Sequence, residues 1–252
     1  MRIGTYNVLG LSGYPSERAR ADLVDAARTV EHFADVFASL ACDVLALQEG
    51  PDHATMRALA RRLGCHLAAF PSPTAYPGYV LSRWPILESR VYAHAGPDGG
   101  QAAFSRCAGA ALLQWNDGRL WVVGIHLHPK DRAMRRLEAQ RLAGHLASLD
   151  GALPTVVLGD FNASLPEEVH GCLAARGFVN AMVEAGGGAA PTMDTAGVSP
   201  KVIDHIYVDG RLAGRLVGAR VVRAPGFRRD AAAATPAWVH SDHLPVLADL
   251  EG

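Results

Sequence analysis

The sequence predicts one α/β domain spanning residues 1–252, and three observations carry that expectation. Short apolar runs alternate with longer amphipathic segments along the whole length. Hydrophobic residues make up 49 % of the chain, enough for a substantial core without disulfides or structural metals. No internal repeat and no linker divides it.

The expected strands are Arg2–Gly10, Val44–Gln48, Gly78–Leu81, Ala110–Gln114, Leu120–Leu127, Thr155–Leu158, Val202–Val208 and Leu244–Leu250. Several are almost wholly apolar, the signature of strands covered on both faces. Four helical patterns lie between them. Ser16–Leu40 carries Leu23, Ala27, Val30, Ala34, Phe37 and Leu40 on one stripe. Asp52 is placed to cap a helix that runs to Leu63 and stops at Gly64. Asp131–Leu149 gathers Met134, Leu137, Leu142, Leu146 and Leu149 on one face, leaving Arg132, Arg135, Arg136 and Arg141 for a solvated one. Ser164 with Glu167 three residues on makes a capping-box signature, with Gly177 as the stop. Ala185–Pro200 reads as a long loop, and Arg211–Arg229 has no clean period.

Composition narrows the functional classes. Lys and Arg (24) almost balance Asp and Glu (25), which speaks against broad, sequence-independent DNA binding through phosphate neutralisation. No segment has the apolar length to span a bilayer and no secretory signal is visible. Cys42, Cys65, Cys107 and Cys172 are far apart and read as free thiols, so a cytoplasmic monomer is expected. A Walker loop and a GxGxxG are both missing.

The informative pattern is where polar residues interrupt apolar strands. Asn7 ends the first strand, Glu49 follows the second, and His126 ends Trp121-Val122-Val123-Gly124-Ile125. Asp160 and Asn162 follow Thr155-Val156-Val157-Leu158-Gly159, Asp204 sits inside Val202–Ile206, and Ser241-Asp242-His243 precedes Leu244–Leu247. A charged group beside a buried strand is costly unless it is paired, hydrogen-bonded or metal-bound. One such residue is ordinarily a cap or a satisfied core group; six strands with it suggest one shared cleft. The set holds carboxylates, carboxamides and imidazoles and no candidate nucleophilic Ser or Cys. Carboxylate and amide oxygens suit Mg²⁺ or Mn²⁺.

The order Thr5-Tyr6-Asn7, Gln48-Glu49, Ile125-His126-Leu127, Gly159-Asp160-Phe161-Asn162, Ile203-Asp204-His205-Ile206 and Ser241-Asp242-His243 resembles the endonuclease/exonuclease/phosphatase (DNase I-like) superfamily. Leu81-Ser82-Arg83-Trp84-Pro85-Ile86 and Gln140 are supporting matches. The resemblance implies a four-layer α/β/β/α sandwich of two packed mixed sheets flanked by helices, with a metal site at one rim. It makes Glu49 the principal metal ligand, with Asn7 and Asp242 completing or flanking that site. Asp160 would orient or deprotonate the attacking water, Asn162 would hold the water or a phosphoryl oxygen, and His126 would contact the phosphate. His243, paired with Asp204, would be the acid/base histidine. Whether Asp160 or His243 takes the water's proton stays open.

Ile125 departs from the threonine or serine usual before the family's histidine. His128 therefore competes with His126, because residues two apart share a strand face; motif register favours His126, with His128 a rim or substrate residue. Arg106 is a further substrate candidate. His205 fills a position often aromatic in the family and is expected to pack, and His240 to sit in a loop. A dinuclear-zinc reading of His126-Leu127-His128-Pro129-Lys130-Asp131 fails, because Lys130 and Asp131 stand where Asp and His are required.

The expected function is thus a Mg²⁺- or Mn²⁺-dependent phosphoesterase acting on a phosphodiester or phosphomonoester through an activated water. The alternative is specifically a nuclease. The substrate (nucleic acid, inositol phosphate or phospholipid headgroup) is open. A non-catalytic binding module on the same scaffold would have lost catalytic positions, and every expected position is filled.

Overall fold

A computed structural model describes residues 1–15, 23, 25–93, 103–116, 118–195, 198–229 and 237–251. In chain order its elements are β1 (Arg2–Asn7), α1 (Ala26–Ser39), β2 (Val44–Gln48), α2 (His53–Leu63), β3 (His66–Phe70), β4 (Gly78–Ser82), β5 (Ile86–Val91), β6 (Cys107–Trp115) and β7 (Gly118–His126). There follow α3 (Arg132–Ala147), β8 (Thr155–Asp160), α4 (Glu168–Ala174), β9 (Phe178–Asn180), α5 (Ala181–Ala185), β10 (Asp204–Asp209), α6 (Gly210–Ala213), β11 (Leu216–Val221) and β12 (Val246–Leu250). The strands form two six-stranded sheets, ordered β11-β12-β1-β2-β4-β3 and β5-β6-β7-β8-β10-β9. Among the described strands only β1–β2 and β7–β8 pair in parallel, each across a helical crossover, so both sheets are mixed.

Alternation along the strands sorts side chains into layers. Ile3, Ala46, Phe70 and Val80 of one sheet meet Leu113, Val122, Val156 and Ile206 of the other in an apolar middle layer. On the outer face of the first sheet, Tyr6, Leu45 and Leu47 pack under Phe33 and Phe37 of α1 and Met56 and Leu59 of α2. On the second, Trp121, Val123 and Val157 pack under Ala139 and Leu142 of α3 and Val169 and Leu173 of α4. The result is the expected four-layer sandwich. Phe70 is 1 % exposed, and burying a side chain of this size contributes about 1.5–3 kcal/mol. Its ring lies where a Cβ on Gly109 of the facing sheet would overlap it, and it passes close to Gly124 as well.

Capping follows the sequence at α2, where Asp52 accepts from Ala54 and Thr55 N–H and Gly64 (φ 64°) ends the helix. Asp131 likewise caps α3. Other expectations are corrected. The described part of the first helix begins at Ala26, capped by Asp25; residues 16–22 and 24 of the expected helix lie outside the described residues. The Ser164–Glu167 box does not form: Glu167 makes no side-chain cap and instead binds Arg135 through two hydrogen bonds of 2.8 and 2.9 Å. On α3, Leu137 is 43 % exposed while Arg135 and Glu138 point inward at 8 % and 0 %. Gln140 is exposed too, and Glu138 is the more deeply buried of the two inward charged residues of that helix. The unassigned Arg211–Arg229 segment contains α6 and β11. Residues 196–197 of the expected Ala185–Pro200 loop fall outside the described residues. No described helix is long and apolar enough to cross a membrane.

One glycine is dictated by the junction of β7 and β8. Gly159 has φ 150°, and a Cβ there would fall on the carbonyl of Ile125. Gly159→Ala is expected to destabilise the protein by about 2 kcal/mol or more, since strain and overlap with fixed backbone act together. Urea unfolding tests this; a loss below about 0.5 kcal/mol, the size of an ordinary surface substitution, would show that the strand yields there.

Candidate active site

The two parallel pairs decide where chemistry collects. In each pair both C-termini leave the sheet at the same end, which places Asn7 opposite Gln48 and His126 opposite Asp160. Because β10 runs antiparallel to β8, its first residue, Asp204, also lies opposite Asp160. The antiparallel β12 brings Ser241-Asp242-His243 to the same edge of the first sheet. Asn7, Glu49, His126, Asp160, Asn162, Asp204, Asp242 and His243 thus gather where the two sheets abut.

Asp160 stands at the centre, 1 % exposed. Its Oδ2 accepts from Asn7 Nδ2 at 3.1 Å across the sheet–sheet seam, and its Oδ1 accepts from the Asn162 backbone N–H at 2.9 Å. His126 Nε2 lies 3.4 Å from Oδ2 and His243 Nε2 3.8 Å from it. Burial and the charge of Asp204 raise the Asp160 carboxyl above its ordinary value, against the two imidazoles, which favour its charge. Glu49 and Asn162 adopt left-handed backbone, φ 51° and 49°. Asparagine tolerates this region; for glutamate it is sparsely populated, and such residues cluster at functional sites.

His243 Nδ1 lies 2.9 Å from Asp204 Oδ2. Burial opposes its charge, but Asp204, Asp160 and the Asp204 hydrogen bond outweigh that and hold the imidazole at about 10, protonated at neutrality. Asp204 is itself anchored by Thr192, whose hydroxyl donates to Oδ2 at 2.6 Å and accepts the Ile203 and Asp204 N–H groups. The Thr192 carbonyl accepts the Leu244 N–H at 2.6 Å, so one residue steadies both members of the pair. Sequence reasoning missed Thr192, which lies in the expected loop with no periodic signal.

Glu49 faces the carboxylates of Asp160 and Asp242. Burial raises its carboxyl above the ordinary value; the Asn7 hydrogen bond and His243 pull it down, and Asp160 and Asp242 push it up. Crowded, partly desolvated oxygens of one sign are what a hard divalent cation relieves, so the donor set fits Mg²⁺ or Mn²⁺. Asn7 lies against this set of acids. Its amide nitrogen is turned to Asp160 and its oxygen accepts the Leu9 N–H at 3.2 Å, so it cross-links the acids rather than presenting a free oxygen. Donor atoms of Asp160, Asp204 and His243 also lie within 4.8 Å of one another, a spacing compatible with an ion. Within that group Asp204 Oδ2 and His243 Nδ1 already bond each other, while Asp204 Oδ1 is buried with no hydrogen-bond partner.

His126 is held near 4 by burial, helped by Arg106 and His243 and opposed by Asp160, so it is a neutral N–H donor rather than a cation. Tyr76 meets it edge-on at 6.3 Å between centroids, and the Arg106 guanidinium lies 3.4 Å over the Tyr76 ring. The sequence reading had not picked out Tyr76, which sits in a turn before β4. His128 is not drawn into the cluster. β7 ends at His126, and the His128 ring turns back so that Nδ1 accepts the Lys130 and Asp131 N–H groups.

The Endonuclease/Exonuclease/phosphatase family matches residues 4–243. The chain belongs to that family. Family members are hydrolases of phosphate esters and are generally divalent-metal dependent. Solved structures similar to it include a mannosyl-6-phosphatase from Bacteroides thetaiotaomicron (TM-score 0.76, 16 % identity, 100 % of both chains). Others are the 3′ phosphatase NExo from Neisseria bound to a product DNA hairpin (0.69, 18 %, 100 % of both chains) and TDP2 from Caenorhabditis elegans (0.70, 16 %, 98 % of this chain and 73 % of that one). At these identities they show the DNase I-like fold alone. No curated protein has significant sequence similarity to the chain.

In this member of the family, the loop after Asp160 rests on two buried histidines. The Ala163 carbonyl accepts from His170 Nε2 (3.1 Å) and His205 Nε2 (3.2 Å), which fixes both tautomers; Tyr207 and Asn180 then donate to the Nδ1 atoms. Burial holds His205 at about 3 and lowers His170, so the folded state excludes protons that the unfolded chain binds. The His205 contribution is complete above about pH 6.5 and is lost as pH falls from there toward about 3, at about 1.4 kcal/mol per unit; His170 acts in the same direction. His205→Phe is expected to flatten the decline of stability between about pH 6.5 and 4.5 by that slope. Denaturant midpoints across this range measure it, and an unchanged slope would count against a neutral buried His205.

Proposed function

We propose that the chain is a Mg²⁺- or Mn²⁺-dependent phosphoesterase that hydrolyses a phosphate ester by in-line attack of water. The observation that carries this reading is the convergence of Asn7, His126, His243 and Asn162 on the buried carboxylate of Asp160, with Glu49 and Asp242 beside it. A phosphate ester is anionic and repels a nucleophile, so the site must offer positive charge or N–H donors to its oxygens and align the water.

Glu49 and Asp242 would hold the cation, with Asn7 fixing Glu49 against Asp160; when bound, the ion supplies charge to the phosphoryl oxygens and lowers the pKa of a coordinated water. Asp160 takes the proton of the attacking water, and Asn162, anchored through its amide to the Leu127 carbonyl at 3.0 Å, keeps the loop beside Asp160 in register. His126 donates one N–H to a phosphoryl oxygen. His243, oriented by Asp204, presents Nε2–H to the charge that develops as the ester bond breaks. Arg106, stacked on Tyr76, contacts a further phosphoryl oxygen.

The reading stops at phosphate esters. Structural neighbours act on partners as different as a mannosyl 6-phosphate and a DNA 3′ end. A net charge of −1 gives no support to an extended nucleic-acid track.

Turnover of bis-p-nitrophenyl phosphate and p-nitrophenyl phosphate is expected with Mg²⁺ or Mn²⁺ and is expected to vanish in EDTA. Asp160→Ala and His243→Ala are each expected to lower kcat by about 10²- to 10⁴-fold. Full activity in both variants would overturn the site. A panel of nucleotide ends, sugar phosphates, inositol phosphates and phospholipid headgroups would then rank substrates.

A further inference from the structure

α3 turns charged side chains toward the cleft. Glu138 is fully buried, and its two oxygens accept different backbone donors: Ser105 N–H at 2.7 Å and His128 N–H at 2.8 Å. Two arginines of the helix grip the same segments. Arg141 donates to the Ala103 carbonyl at 2.7 Å and Arg135 to the His128 carbonyl at 3.0 Å, Arg135 being braced by Glu167. The first segment leads directly into Arg106 at the start of β6; the second leaves His126 at the end of β7. One carboxylate therefore ties together the chain on either side of the mouth. Arg106 lies over Tyr76, and among the described residues no ion pair engages it.

We propose that Glu138 is a positioning residue for substrate binding: it fixes Arg106 relative to His126, so that the stacked guanidinium is a preformed receptor for a phosphoryl oxygen. The inference rests on the phosphoesterase reading and adds to it where ground-state affinity resides. Preorganisation of this kind acts on binding more than on the chemical step, because Asp160 takes its hydrogen bonds directly from Asn7 and the Asn162 backbone, and Asp204 takes its own from Thr192, none of which touches Glu138.

The conservative variant is informative. Glu138→Gln keeps the shape but replaces one acceptor oxygen with a donor, so one of the two buried N–H groups loses its partner. In the Mg²⁺-loaded enzyme, Glu138→Gln is expected to raise KM and the Kd for inorganic phosphate by about tenfold, with kcat within about threefold of wild type. The same substitution in an Arg106→Ala background is expected to add nothing to either constant, because its effect passes through Arg106. Leu142→Ala, a core variant of the same helix, serves as the stability control: it lowers Tm and leaves KM unchanged. Additive effects of Glu138→Gln and Arg106→Ala, an unchanged KM in Glu138→Gln, or a wild-type chain that binds no phosphate would each overturn the proposal. Failure of the underlying reading looks different: no ester is turned over, whereas phosphate titration of the four proteins still decides whether Glu138 acts through Arg106.

Discussion

A carboxylate buried at the meeting of two sheets has to be answered from both of them, and Asp160 is that carboxylate. Asn7 reaches it from β1, His126 from β7, His243 from the approach to β12, and the backbone of Asn162 from its own loop. Without the hydrogen bonds from Asn7 and Asn162 and the imidazoles beside it, a charge at 1 % exposure would cost several kcal/mol; with them it becomes the fixed point around which the other acids are spaced. The constraint extends outward. Thr192 holds Asp204, Asp204 holds His243, and His170 and His205 hold the turn at Ala163 that keeps Asn162 in place. Hydrogen bonding rather than packing sets the geometry at this end of a molecule whose middle is almost wholly apolar.

The interior of the fold was legible because burial writes itself into a strand. β1, β2, β4, β6, β7 and β8 bury nearly every residue, and their apolar runs stand out in the sequence. The four strands without such a run, β3, β5, β9 and β11, are the four sheet edges. β5 exposes Leu87 at 48 % and alternates poorly, and β11 is half-buried along its length, so neither shows a period to read. On α3 the hydrophobic stripe misled. The inward positions include Arg135 and Glu138, which are tolerable there only because partners from loops distant in sequence complete their hydrogen bonds.

For the site, residue types at strand ends pointed to the cluster that the fold assembles, since each lies where an apolar run breaks. What the sequence did not carry is orientation. Period-2 reasoning put His128 beside His126, but the strand ends at His126 and the next turn is redirected by Glu138 and Arg135. Asn7 was expected to complete or flank the metal site, and nothing in the sequence says that its amide nitrogen turns to Asp160 while its oxygen accepts the Leu9 N–H. Thr192, Tyr76 and Glu138 were invisible for a shared reason: each matters through a contact with a segment far away in the chain, and nothing nearby marks it.

Because the cleft is a seam, neither half of the molecule is an incomplete enzyme; each is no enzyme at all. The first sheet carries Asn7 and Glu49 near one terminus and Asp242 and His243 near the other, while His126, Asp160 and Asp204 ride on the second. β1 must be clasped between β2, the next strand in sequence, and β12, the last of the described strands, before the acids and imidazoles confront one another. The cluster is thus complete only when segments far apart in sequence lie side by side, and a partly assembled chain lacks it.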